Sequence, residues 1–367
     1  MLYALPDHDV MENLMPGIRD QHLSADEALA RLRAVPGLVP VAINPEGEGM
    51  LYFADIGDVP LVEWKYIYTI ERLAKEGGIG EMFTTGLDLL ERDDLITDSL
   101  VPQGFLFHVS RCGSTLLTKS LARSPKNVCI NQGGPLQEGF WAVVTDHWQH
   151  QPEVNERNIR MFRNVVFLMS RRRRPEYERC FIKFISWNVI FMDFIRAAFP
   201  EVPIVYLYRD PAEVIATVLQ ETTAVLRAKG KLQSTMLTGK TPEETGVMND
   251  AEYLAWCYAQ YFRIARAVCA EDGNLSLLNY SSLKHQELYE DILDRGFNLR
   301  PDPEELELMR SQYRFYSKDD SDKTIFKPDS ETLTEALSQK DRELVAQICQ
   351  EGISRLNSSP QNLFPAG

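Results

Sequence analysis

From residue 104 onward, short apolar runs alternate with stretches of helical period. Gly104–Val109 (GFLFHV), Asn127–Asn131 (NVCIN), Cys180–Ile185 (CFIKFI), Pro203–Tyr208 (PIVYLY) and Asn274–Tyr280 (NLSLLNY) each read as a short buried strand. Between them, STLLTKSLARS (Ser114–Ser124), an amphipathic stretch over 186–199, PAEVIATVLQETTAVL with Pro211 in its first turn, and a stretch near His285–Arg295 read as helices. Strands alternating with helices predict an α/β fold, a parallel sheet flanked by helices on both faces. Ligands of such sheets bind beyond the carboxyl ends of the strands, so the functional residues are sought there.

The first 100 residues follow no such alternation. Ser24–Val35 reads as a helix capped by Ser24, with Glu27 three residues later completing the capping pattern. GMLYFADI has strand character, and AKEGGIGEMF supplies a glycine-rich break. No chemical motif and no internal repeat stand out. The predicted organisation is an additional α+β N-terminal region over 1–100, an α/β domain over 101–335, and a C-terminal helix and tail over 336–367.

Composition narrows the function classes. The chain has 367 residues, 44% hydrophobic and 25% charged, close to the average of soluble globular proteins. Its net charge of −14 argues against general nucleic-acid binding, which phosphate neutralisation drives. No apolar run has the length of a membrane span, and the acidic start MLYALPDHDV lacks the basic flank of a secretory signal. The six cysteines form no CxxC pair and lie mostly in apolar runs, which predicts reduced core residues and a cytoplasmic protein. The six histidines show no metal-binding spacing, so no metal is expected. Any anion site in so acidic a chain has to be a local concentration of donors and cations.

HVSRCGSTLLTKSL is such a concentration. A strand ends, small polar residues fill a turn, and a helix starts at once, where backbone N–H groups and the helix dipole favour an anion. Gly113 allows close approach, Ser114 and Thr115 add hydroxyls, and Arg111 adds a planar cation. Compared with the phosphate loop GxxxxGK[ST], Gly113 and Thr115 match, but His108 stands for the first glycine and Ser114 for the lysine that reaches the β- and γ-phosphates. That argues against an ordinary ATP or GTP enzyme.

Arg111-Cys112-Gly113-Ser114-Thr115 resembles the [RK]-S-G-T-T loop of the sulfotransferase family, with Cys112 in place of serine. In that family the loop holds the 5′-phosphosulfate of 3′-phosphoadenosine 5′-phosphosulfate (PAPS). A second match follows in YLYRDPAEVIAT: the family sets an arginine at a strand end and a Ser or Thr eight positions on, both binding the 3′-phosphate, here Arg209 and Thr217. LSLLNYSSL echoes L-x-Y-E-D-L at Tyr280 and Leu283, but Ser281 and Ser282 replace the acids. The resemblance spans roughly residues 100–330. It implies a P-loop-type sheet of the bacterial kind and transfer of a sulfuryl group from PAPS to a hydroxyl or amine. The acceptor would be a small molecule, carbohydrate or lipid, and a homo-oligomer is compatible with it.

Such transfer needs cations near the bridging oxygen and a base for the acceptor proton. Arg111 is one cation. Lys183 resembles the lysine of the family's K-T-H stretch, whose histidine position holds Ile185 here. That departure leaves two candidate bases: Glu138, in the glycine- and proline-containing NQGGPLQEGFW read as a loop lining the cleft, and His108, which opens the phosphate loop. His147 and His150 are weaker candidates. Lys318, Lys323 and Lys327 lie where the family has a basic flexible loop, without its R-K-G string. Arg171–Arg174 reads as a solvated helix end or an attraction site for an acidic acceptor. A P-loop phosphotransferase and an inactive nucleotide-binding protein of the same fold are the competing readings. Acceptor contacts are expected in 132–180, 222–250 and the first 100 residues.

Overall fold

A computed structural model describes residues 8–95, 98–220, 224–271, 273–319, 321, 323–325 and 337–365. The boundary expected at 335/336 and Lys327 lie outside the described residues.

The first part of the chain forms a four-stranded sheet from β1 (His22–Leu23), β2 (Leu38–Asn44), β3 (Met50–Asp55) and β4 (Met82–Thr85), in the order β1-β4-β3-β2. The helix Ala25–Ala34 starts as the sequence predicts: Ser24 and Glu27 complete a capping box. The second sheet is wholly parallel, with β5 (Pro102–His108), β6 (Asn127–Asn131), β7 (Arg179–Lys183), β8 (Ile204–Tyr208) and β9 (Leu275–Asn279) in the order β6-β7-β5-β8-β9. All five predicted strands are present. After β5 the chain runs to one edge, returns through β7, and crosses to β8 on the other side. The switch in direction lies at β5, where α/β sheets open a crevice at their carboxyl ends. The register Asn131↔Lys183, Leu106↔Lys183, His108↔Leu207 and Tyr208↔Asn279 brings the strand ends into one row. Among the described residues no helix is long and apolar enough to cross a membrane.

One hydrophobic core runs through both sheets, and all six cysteines are free and buried within it. The two parts meet closely. A Cβ on Gly139 would lie 2.1 Å from the Ile43 carbonyl oxygen, so β2 rests directly on the turn that follows β6. Two expected helices differ from the prediction. Residues 186–199 divide into a 3-10 turn, Ser186–Phe191, and the helix Met192–Ala198; Ser186 through Met192 are all buried, so this piece has no solvent face to set an amphipathic period. The helix from Pro211 ends at Leu219.

The arginine run is a correction. It lies just past the helix Glu156–Met169, as expected, but only Arg172 of the four is exposed, and Arg171 and Arg173 are buried. Arg171 is 1% exposed, and its five donors meet Asp98 twice and the carbonyls of Leu32, Val35 and Leu38. Arg173 holds the carbonyls of Gly57 and Val59, and Arg174 that of Asp58. The run fastens the N-terminal sheet region to the parallel-sheet region through orphan backbone acceptors.

Candidate anion-binding and active site

A cavity of about 490 Å³ opens over the carboxyl ends of the parallel strands. The phosphate loop forms its floor, with Ser110 through Leu116 in the lining. β5 delivers His108, and the chain turns through Arg111 at φ 57 and Gly113 at φ 82 before the helix Ser114–Ala122 begins. Gly113 is required twice. Its left-handed backbone favours glycine, and a Cβ there would meet the Leu283 and Tyr280 side chains at 2.8 and 2.9 Å. The Cys112 side chain is fully buried: its thiol donates to the Val109 carbonyl at 2.9 Å, and burial pushes its pKa up to about 12. A neutral hydroxyl could make the same turn-closing bond, which accounts for cysteine in a serine position.

Arg209 follows β8 and Tyr280 follows the adjacent β9. Their chain positions bring the guanidinium 4.4 Å from the Tyr280 ring centroid. Arg209 donates to the Arg111 carbonyl at 3.0 Å and to Glu213 at 2.5 Å, so it braces the strained turn of the phosphate loop. Thr217, two turns into the helix Pro211–Leu219, lines the cavity, with its hydroxyl donating to the Glu213 carbonyl.

Lys183 ends β7 and is fully buried, directly beneath the loop. Its ammonium lies 3.3 Å from the Thr115 hydroxyl and 3.5 Å from the Trp64 carbonyl. Burial lowers it to about 7, with Lys318 and Lys65 adding to the decrease. His108 also lines the cavity. Its Nδ1 lies 2.8 Å from the Val109 carbonyl, which can only accept, so Nδ1 carries the proton and Nε2 the lone pair. Burial, followed by the Lys183 charge, lowers His108 to about 3 and keeps it neutral.

Glu138 is not among the lining residues. The segment read as a cleft loop is a single π-helical turn, Pro135–Gly139, and it turns Gln137 to the cavity while Glu138 is buried behind it. His147 and His150 are likewise outside the lining. Lys318 lines the cavity; Lys323 does not.

The sequence missed several lining residues. Trp64 and Lys65 come from the N-terminal region, pegged over β6 and β7 by the bond from the Asn131 amide to the Glu63 carbonyl at 3.0 Å and by Lys183 on the Trp64 carbonyl. Gln132, just past β6, adopts φ 51, a left-handed conformation unusual for glutamine, and its carbonyl is held by the Gln137 amide at 2.6 Å. Strain of this kind gathers at functional sites. The cations of the lining are Lys65, Arg111, Arg227 and Lys318, and no described residue in it is a carboxylate. The arrangement suits a polyanionic ligand, with donors at a helix start, a glycine where a Cβ would intrude, and cations on both sides.

No family model matches the chain. No curated protein matches it. Among solved structures, a sulfotransferase from Mycobacterium tuberculosis aligns with a TM-score of 0.38 at 13% identity, over 61% of this chain and 76% of that one. The sulfotransferase domain from the curacin biosynthetic pathway aligns with a TM-score of 0.35 at 14% identity, over 68% of this chain and 98% of that one.

Proposed function

We propose that the chain is a sulfotransferase that binds PAPS in this cavity and passes its sulfuryl group to an acceptor hydroxyl or amine. One observation carries the reading. The phosphate loop bears Ser114 where a nucleoside-triphosphatase has its lysine, and Arg209 and Thr217 stand at the next strand on the β9 side, at the family's spacing for a 3′-phosphate. Bound there, PAPS supplies an activated sulfuryl group on a phosphate leaving group. The loop N–H groups, Ser114 and Thr115 hold the 5′ side, with Arg111 as the loop's cation. Arg209 acts on the 3′-phosphate and at the same time holds the Arg111 carbonyl. Lys183 stabilises the charge that develops on the leaving phosphate, through or beside Thr115.

The acceptor oxygen forms a new S–O bond as the bond from sulfur to the 5′-phosphate oxygen breaks, and that electron pair stays on the phosphate. The acceptor proton goes to His108, whose side chain lines the cavity and whose Nδ1 is held by the Val109 carbonyl. Gln132 and Gln137 orient the acceptor on the β6–β7 side. The protein works in the cytoplasm on a small-molecule, carbohydrate or lipid acceptor and needs no metal.

The test is a thermal-shift and calorimetric titration with 3′-phosphoadenosine 5′-phosphate beside ATP and Mg²⁺. At a hundredfold excess over Kd the desulfonated nucleotide is expected to stabilise the fold by about 2.7 kcal/mol, and ATP far less. Equal shifts for the two would transfer the assignment to a phosphotransferase.

Binding also carries a pH signature. In the empty site Lys183 loses its proton near pH 7, and a bound anion raises its pKa. The complex therefore takes up a proton above that pH. Affinity for the nucleotide is expected to fall as pH rises from 7 toward 9, by at most about tenfold per unit. Calorimetry in buffers of different ionisation enthalpy reads the uptake directly, and Lys183→Met should flatten the profile. An equally steep profile in that variant would assign the proton elsewhere.

A further inference from the structure

Arg209 and Thr217, the pair matched to a 3′-phosphate, stand differently in the fold. Thr217 lines the cavity, whereas Arg209 is not in the lining and its side chain is only 6% exposed. Its Nε donates to the Glu213 carboxylate at 2.5 Å, its Nη1 donates to the Arg111 carbonyl at 3.0 Å, and its guanidinium lies over the Tyr280 ring. Glu213 already balances that charge, and the phosphate loop it braces fixes its position. A phosphate held beside Thr217 therefore calls for a second cation, one that reaches the cavity directly.

The wall that continues from Thr217 supplies it. Thr217 and Val218 lie in the last turn of the helix Pro211–Leu219. Ala224, Val225 and Arg227, at the 3-10 turn Val225–Ala228, line the same cavity. With three residues per turn, Val225 and Ala228 share one face, and both are buried; Arg227 lies off that face and is exposed. Lys229 ties down the end of the turn, its ammonium meeting the Asp250 carboxylate and the Met248 carbonyl. The backbone that carries Arg227 is thus anchored, while its guanidinium has no ion pair or side-chain hydrogen bond among the described residues. A planar cation with open donors on an anchored turn suits the paired oxygens of a phosphate.

We propose that Arg227 meets the 3′-phosphate directly, beside Thr217, and that it sets the preference of this cavity for nucleotides phosphorylated at the 3′ position. This rests on the sulfotransferase reading and deepens it. Arg209 then acts on the same phosphate only at a distance, through a charge that Glu213 balances, and its main contact is with the loop that holds the 5′ side.

The probes are 3′-phosphoadenosine 5′-phosphate and adenosine 5′-monophosphate, which differ only in the 3′-phosphate, each titrated by calorimetry into the full chain at pH 6.5. The wild-type chain is expected to bind the first more tightly. Arg227→Met should weaken the 3′-phosphorylated nucleotide at least about tenfold, as loss of a charged hydrogen-bond donor does, and leave the monophosphate within about twofold. Arg227→Lys, which keeps the charge and loses the fork, should fall between the two. Arg209→Met should instead weaken both nucleotides alike, because it loosens the loop that takes the 5′-phosphate they share. The proposal is overturned if Arg227→Met keeps the wild-type ratio of the two affinities. It is also overturned if that variant weakens both nucleotides equally, since Arg227 then serves a part common to them. A wild-type chain with no preference for the 3′-phosphorylated nucleotide would sink the sulfotransferase reading itself, and this assignment with it.

Discussion

Arg171→Ala is expected to lower the unfolding free energy by about 3–5 kcal/mol, the cost of leaving buried carbonyl acceptors unpaired and a large-side-chain cavity behind. All five guanidinium donors are used. Nε and Nη2 meet Asp98 at 3.2 and 2.8 Å, Nη1 meets the Val35 and Leu38 carbonyls at 2.9 and 3.2 Å, and Nη2 also meets the Leu32 carbonyl at 2.7 Å. Leu32 and Val35 belong to the last turn of the helix Ala25–Ala34 and its cap, where carbonyls lack helical partners and the dipole favours a cation. Alanine would leave these acceptors buried and unpaired, together with a cavity the size of the side chain. Natural domains have only about 5–15 kcal/mol in total, so the loss is a large fraction of it. Arg171→Lys is expected to recover part of the loss, since an ammonium has three donors where the guanidinium has five. Urea denaturation followed by circular dichroism reads both. A midpoint within error of the wild type for Arg171→Ala would mean that the N-terminal region is held by its apolar contacts alone.

The clamp also explains which parts of this chain were legible in the sequence. Strand runs such as NVCIN and PIVYLY have apolar centres because both faces of the parallel sheet are covered, and that property is local enough to read from the residues alone. Caps are local too: Asp210 accepts from the Ala212 and Glu213 amides one turn ahead, as its place before Pro211 suggests. The phosphate loop was legible because a strand, a tight turn and a helix start must be contiguous. The four arginines at 171–174 look like surface residues by composition, and what buries two of them is a set of backbone carbonyls more than a hundred positions earlier. Backbone acceptors have no sequence signature. Trp64 and Lys65 were missed for the same reason, since Asn131 and Lys318 bring them to the site from distant segments. Gln137 and Glu138 illustrate a third limit. Neighbours on a helix point about 100° apart, and the π-helical turn, with its wider i→i+5 spacing, decides which of the two faces the cavity. The glycines and proline of this segment suggested a loop that lines the cleft with the acid; in the π-helical turn the Gln137 amide is the one in the lining.

That one-residue difference sets the last expectation, which concerns the proton. His108→Asn is expected to lower turnover by about 10²–10⁴, the usual effect of losing a general base, while nucleotide affinity stays close to that of the wild type. Its carbonyl-bound Nδ1 leaves the lone pair on Nε2, which is buried in a side chain that lines the cavity, so a small shift of the ring has to open it to the acceptor. The difficulty is strength, because a histidine held at about 3 is a weak base. Two of the causes change on binding. On the proposed function, PAPS would bring several negative charges into the cavity, and these would favour the imidazolium. Lys183, whose charge is the second cause of the decrease, is itself near its midpoint at neutral pH. The pKa of His108 in the ternary complex should therefore rise toward the working pH, where a base is most effective. Glu138→Gln is the matched comparison: the amide keeps the shape and removes proton acceptance. Buried behind Gln137, Glu138 has no direct route to the acceptor in this geometry, so its variant is expected to lose far less turnover. Steady-state rates for the two variants across pH 5–9 decide the matter. If Glu138→Gln removes the acid limb and His108→Asn leaves it in place, the carboxylate takes the proton and the π-helical turn must open for catalysis. If both limbs survive in both variants, the acceptor reaches the site already deprotonated, as a neutral amine or an acidic hydroxyl would.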